Sequence, residues 1–151
     1  MYKLIQEEEI MTEDHGKTPY VVDVEDLTVN NENFRTAAWT GEYLQMTLMS
    51  IEAGSEIGLE VHDDTDQFLR IEQGEARIVM GDTPDDLDFD VTAEDDFAIL
   101  VPSGKWHNII NTGDIPLKIY SIYAPSHHPE GTVHKTKAEA DEAEAAEHDH
   151  A

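Results

Sequence analysis

Residues 54–74 read G-S-E-I-G-L-E-V-H-D-D-T-D-Q-F-L-R-I-E-Q-G, and this stretch decides the fold. Side chains alternate across a β-strand, so residues two apart share a face. Glu60 and His62 then point one way, and Leu59 and Val61 the other. Across the turn, Gln67 shares its face with Leu69 and Ile71, opposite Phe68 and Arg70. A later stretch, 96–111, reads D-F-A-I-L-V-P-S-G-K-W-H-N-I-I-N. It adds His107 on a face with Ile109 and Asn111, and Pro102-Ser103-Gly104 is a turn that can aim His107 back. Polar side chains set among apolar neighbours are costly unless paired or bound to a metal. The four residues Glu60, His62, Gln67 and His107 therefore read as one inward-facing metal site.

Outward from this stretch, short apolar and β-branched runs alternate with turn residues. Strands are expected near 35–39, 44–51, 56–61, 67–71, 76–80, 87–91, 97–101, 106–110 and 117–123. Thr40-Gly41, Gln73-Gly74, Gly81-Asp82-Thr83-Pro84 and Thr112-Gly113-Asp114 separate them. Many closely spaced strands without an intervening helical pattern predict an all-β sandwich or barrel. Before them, Pro19-Tyr20-Val21-Val22 is a weak strand signal. The expected organisation is an N-terminal segment (1–33) packing on a β-barrel (34–125), followed by a loop and a flexible acidic tail (126–151). That tail is nearly all Ala, Glu, Asp and Lys. It has little to bury, although Ala and Glu also favour a frayed helix.

The 151 residues suffice for one domain with a hydrophobic core. There is no cysteine, which excludes disulfides, thiolate metal sites and Cys nucleophiles. With 34 Asp and Glu against 9 Lys and Arg, the formal net charge is −25. Nucleic acid and anionic membranes are thus expected not to be partners. Scarce lysine throughout points to salt adaptation, in which screening relieves self-repulsion; the alternative is an acidic mesophilic protein whose charge is inflated by its tail. The opening M-Y-K-L-I-Q-E-E-E lacks a signal-peptide apolar run, and no stretch is long enough to span a bilayer, so a cytoplasmic protein is expected.

The two stretches resemble the paired motifs of the cupin superfamily, G-x5-H-x-H-x4-E-x6-G and G-x5-P-x-G-x2-H-x3-N. Gly54, His62 and Gly74 match the first in register; Pro102, Gly104, His107 and Asn111 match the second. There are three departures: Glu60 stands for a His, Gln67 for the Glu, and Asp96 for the first Gly of the second motif. The resemblance implies a double-stranded β-helix (jelly-roll) barrel and a divalent ion held by Glu60, His62, Gln67 and His107. That ligand set is similar to the Gln, His, Glu, His set of the zinc-dependent phosphomannose isomerases, with Gln and Glu exchanged. Mixed N and O donors suit Zn or Mn first, with Fe, Ni or Co also fitting.

Three functions follow as expectations. The first is a small-molecule metalloenzyme of sugar-isomerase type, using the ion as a Lewis acid. The second is a metal-dependent dioxygenase. The third is a non-catalytic small-ligand-binding cupin, in which Gln67 only hydrogen-bonds within the barrel. No catalytic base is assigned. Cupins are often dimers, so a homodimer is expected. Arg70 is expected in a salt bridge or interface, and Tyr120 and Tyr123 in the barrel. Lys105 and Trp106 are expected to rim a pocket, and His127, His128, His134, His148 and His150 to lie in solvated loop or tail.

Overall fold

The computed structural model describes residues 13–149. After helix α1 (Val24–Asn30) come β1 (Arg35–Thr40), β2 (Gln45–Ile51), β3 (Asp66–Gln73), β4 (Glu75–Gly81), β5 (Phe89–Glu94), β6 (Ala98–Val101), β7 (Trp106–Asn111), β8 (Leu117–Ala124) and β9 (Val133–His134), then helix α2 (Lys137–Asp149). A six-stranded sheet, ordered β6-β3-β8-β2-β1-β9, faces a three-stranded sheet, ordered β5-β4-β7. Every pairing is antiparallel.

Alternation along each strand produces the two faces. Leu69 and Ile71 of β3, Ile119 of β8, and Met49 and Ile51 of β2 point inward. They meet Ala76 and Ile78 of β4 and Ile109 of β7 in one apolar cluster. Leu48 and Ala38 point outward and are covered by Leu27 of α1, with Val22, Met46 and Tyr120 beside them. The α1 helix starts where Asp23 caps it, accepting from the Asp26 amide at 3.1 Å. The weak strand signal at 19–22 is not realised: those residues form no strand, and Tyr20 stacks on His15.

The strand expected at 56–61 is also corrected. It is reduced to two isolated bridges, Glu56 to Ile110 and Glu60 to His107. Gly58 lies between them at φ +107°, a conformation that breaks a regular ladder, and its N–H is taken by Asn108 Oδ1 at 2.9 Å. Asp96, where the motif has Gly, keeps the left-handed backbone at φ +75°. Asp enters that region more readily than most side chains, and Arg70 Nη2 donates to its carboxylate at 2.9 Å.

Residues 126–149 carry the short strand β9 and helix α2, the latter in the Ala- and Glu-rich run whose composition favours a helix. His134 and Val133 pair with Arg35 and Thr36 of β1. Thr136 and Glu139 form a reciprocal cap at the start of α2: the Glu139 amide donates to Thr136 Oγ1 at 3.2 Å, and Glu139 Oε2 accepts from the Lys135 amide at 2.6 Å. Ala140 then sits in the barrel core, small enough to pack a largely polar helix closely.

Candidate metal centre

The backbone places Glu60 and His107 first. The two residues exchange both main-chain hydrogen bonds, Glu60 N–H to His107 O at 3.0 Å and His107 N–H to Glu60 O at 2.9 Å. Directly opposed residues of an antiparallel pair carry their side chains on the same face. His62 follows two residues on and is locked by the second motif's turn: Gly104 N–H donates to His62 O at 2.7 Å. Ser103 completes the seam, donating through Oγ to Asp63 O and through N–H to Asp66 Oδ1. The two motifs are therefore stitched to each other. Asn111 is part of the scaffold, its amide donating to Ile51 O and Ile115 O.

The side chains converge. Glu60 Oε1 lies 3.4 Å from His62 Nε2 and 3.5 Å from His107 Nε2. One ligand atom from each of the three falls within 4.8 Å of the others. Both imidazoles are buried, and both Nε2 atoms lack a hydrogen-bond partner. At His107 the tautomer follows from the neighbour: Nδ1 lies 3.0 Å from Lys105 O, and a carbonyl only accepts. In the neutral ring Nδ1 then carries the proton and Nε2 presents a lone pair to the centre, the usual support of a metal-bound His. Burial alone would raise the Glu60 carboxyl. The His107 and His62 rings beside it, 3.5 and 3.4 Å away, outweigh it and hold the group well below the ordinary carboxylate range. Glu60 is thus an anion facing two nitrogen donors, a donor set that suits a divalent ion.

Gln67 is buried on β3, and its Nε2 donates to Ser121 Oγ at 2.8 Å. That bond directs the amide, and Oε1 has no hydrogen-bond partner. Native buried polar atoms are nearly always paired. Yet Arg35 Nε, Thr47 Oγ1, His62 Nε2, Gln67 Oε1, His107 Nε2 and His128 Nε2 all lack partners.

The expectation of a solvated loop is corrected at His128, which is buried, while His127 stays exposed on the same loop. The His127 ring lies 4.1 Å from that of His62 and 5.5 Å from Tyr123. His128 is buried, edge-on to Tyr123. Gln45 is the cause: its Oε1 accepts from both loop amides, at 3.2 and 3.0 Å, and its Nε2 donates to His128 O at 2.8 Å. The neighbouring rings desolvate His127 in part and push it down to about 4, and burial pushes His128 down to about 2. Burial also pushes the Tyr123 phenol up to about 12. Arg70 pairs with Glu72 and Asp96, Arg77 with Asp90, and Lys105 with Asp82, away from the centre. No described helix is long and apolar enough to cross a membrane.

The cupin domain model matches residues 47–123. The Bacillus subtilis protein YrkC, itself uncharacterised, is 53% identical over 139 residues, covering 92% of this chain and 75% of its own length. Protein L612 of Acanthamoeba polyphaga mimivirus, also uncharacterised, is 36% identical over 76% of this chain and 70% of its own. The crystal structure of BH2720 from Bacillus halodurans superposes with a TM-score of 0.86 at 56% identity, over 86% of this chain and 98% of that one. The chain belongs to the cupin family, and its barrel carries a buried cluster able to hold a metal ion.

Proposed function

We propose that this cupin is a small-molecule metalloenzyme whose divalent ion is held by Glu60, His62 and His107, with Gln67 Oε1 as a fourth donor. The supporting observation is the pair of unpartnered imidazole Nε2 atoms facing one carboxylate oxygen at 3.4 and 3.5 Å. The ion would act as a Lewis acid, polarising a carbonyl or hydroxyl of an oxygenated substrate. Around it the protein supplies the buried rings of His128 and Tyr123, which exclude water without adding charge, with His127 at the solvent side. The phosphomannose-isomerase-like assignment rests on the four-donor set with Gln and Glu exchanged. Zn or Mn is the expected ion in this reading, and a cytoplasmic homodimer belongs to it. Leu100 and Phe97, both exposed beside the β6 edge, are the apolar surface for that contact; a monomer by light scattering at micromolar concentration speaks against it.

A second reading is favoured by one observation. Without Gln67 the cluster is two His and one carboxylate, the set that non-haem iron oxygenases use with open positions. Elemental analysis after expression without added metal, with oxygen uptake on candidate diketones, separates the two. The Lewis-acid reading expects Zn or Mn and no uptake. Iron with uptake would replace it by the oxygenase, and no metal at all would leave only a ligand-binding barrel.

A further inference from the structure

Three rings pack against His62: His107 at 5.2 Å between centroids, Tyr123 at 5.9 Å and His127 at 4.1 Å. His107 and Tyr123 are buried, whereas His127 is exposed. His127 is therefore the ring by which this cluster meets solvent. It is not one of the converging donors: among the described residues, those within 4.8 Å of one another are Glu60, His62 and His107.

The position of His127 is nonetheless built. Gln45, itself fully buried, accepts from the His127 N–H at 3.2 Å and from the His128 N–H at 3.0 Å, and it donates to His128 O at 2.8 Å. Tyr123 stacks on the His127 ring at 5.5 Å, and His128 meets it edge-on at 4.7 Å. With His62, these rings fix it by packing. Its own ring nitrogens make no hydrogen bond or ion pair among the described residues. A phenylalanine would supply the same packing. What a histidine adds is an N–H, which the imidazole donates in either neutral tautomer and in the charged form.

We propose that His127 donates a hydrogen bond to an oxygen of the molecule bound at the ion, so that the site selects small compounds with two neighbouring oxygens, such as α-hydroxyketones. One oxygen meets the ion and the next meets His127. Resting on the metalloenzyme reading above, this narrows its oxygenated substrate. In that reading the ligands come from the 60–62 segment, β3 and β7, and a catalytic ion keeps a position open for substrate. His127 comes from the loop after β8, on the side from which a substrate enters. An uncharged substrate also suits a chain of net charge −25, which repels anions.

The test uses the full chain loaded with cobalt(II), whose visible absorption reports what binds at the ion. Hydroxyacetone is titrated beside acetone, which lacks the second oxygen. The wild type is expected to prefer hydroxyacetone. His127→Phe, which keeps the packing and removes the N–H, is expected to weaken hydroxyacetone binding about two- to tenfold, with acetone binding and cobalt content unchanged. His127→Gln, which retains an N–H, keeps part of the preference. The proposal is overturned if the wild type binds both ketones equally. It is overturned too if the preference survives in His127→Phe, because the ion alone then holds both oxygens. Loss of cobalt from folded His127→Phe would also overturn it, since the ring would then support the ion and not the substrate. Failure of the metalloenzyme reading looks different: the wild type itself takes up no cobalt, and both proposals fall together.

Discussion

The barrel interior has two ends that differ in kind. At one, Ile71, Ile119 and Met49 form a row across β3, β8 and β2, joined by Ile51, Ile78 and Ile109, with Arg35 of β1 as the polar residue at the end of the row. At the other, Gln67, Tyr123 and Gln45 form the equivalent row, and Glu60, His62, His107 and His128 close around it. The same strands build both, two steps of alternation apart on each side of the Leu69, Ser121, Thr47 row. The apolar end leaves open only Arg35 Nε among its described side chains, while the polar end leaves open His62 Nε2, Gln67 Oε1, His107 Nε2 and His128 Nε2. Stability is therefore concentrated at the first and binding at the second.

The largest effect is expected at the apolar end. Ile119 is fully buried. Ile119→Ala should lower unfolding free energy by about 2–5 kcal/mol, read from urea midpoints, while metal content per folded chain stays unchanged. A loss under about 1 kcal/mol, or a parallel loss of metal, would blur the division between the two ends.

A smaller, pH-dependent effect belongs to the polar end. His128 is held at about 2, below its ordinary 6.5. As pH falls below 6.5 the unfolded chain takes up this proton and the folded one does not, so stability falls with pH from there downward. The slope is about 1.4 kcal/mol per pH unit for this one group. Between pH 7 and pH 5, His128→Gln should therefore lose on the order of 1–2 kcal/mol less than wild type. Identical slopes would place His128 in water. The smallest effect concerns both ends alike: with a net charge of −25, the melting temperature should rise with KCl concentration, and maximal stability at low salt would remove the inference of salt adaptation.

Much of the first set of observations was legible in the chain. Glu60, His62 and His107 follow from alternation and from the turn at Pro102 to Gly104, because both are local rules. The break at Gly58 was legible in principle, since a glycine inside a strand pattern marks a bend. The cap of α2 was legible too: Thr136-Lys137-Ala138-Glu139 is a capping box, hidden by a composition that reads as a solvated tail. Arg35 was not legible. At the start of R-T-A-A-W it looks like a strand-edge cation, yet it is buried, with His134 of β9 and Glu144 of α2 brought beside it from distant segments. His127 and His128 escaped for the same reason, since Gln45 fastens their loop across 82 and 83 positions. Local chemistry is read from spacing, whereas what covers a site is decided by contacts between distant segments.

The most direct measurement is metal content of purified wild type and of the Glu60→Ala, His62→Ala double variant, by elemental analysis, with circular dichroism to confirm that both are folded. About one divalent ion per wild-type chain is expected and almost none in the variant, because a single His with Gln67 cannot hold an ion tightly. Equal metal content in the two folded proteins would contradict the assignment of the centre.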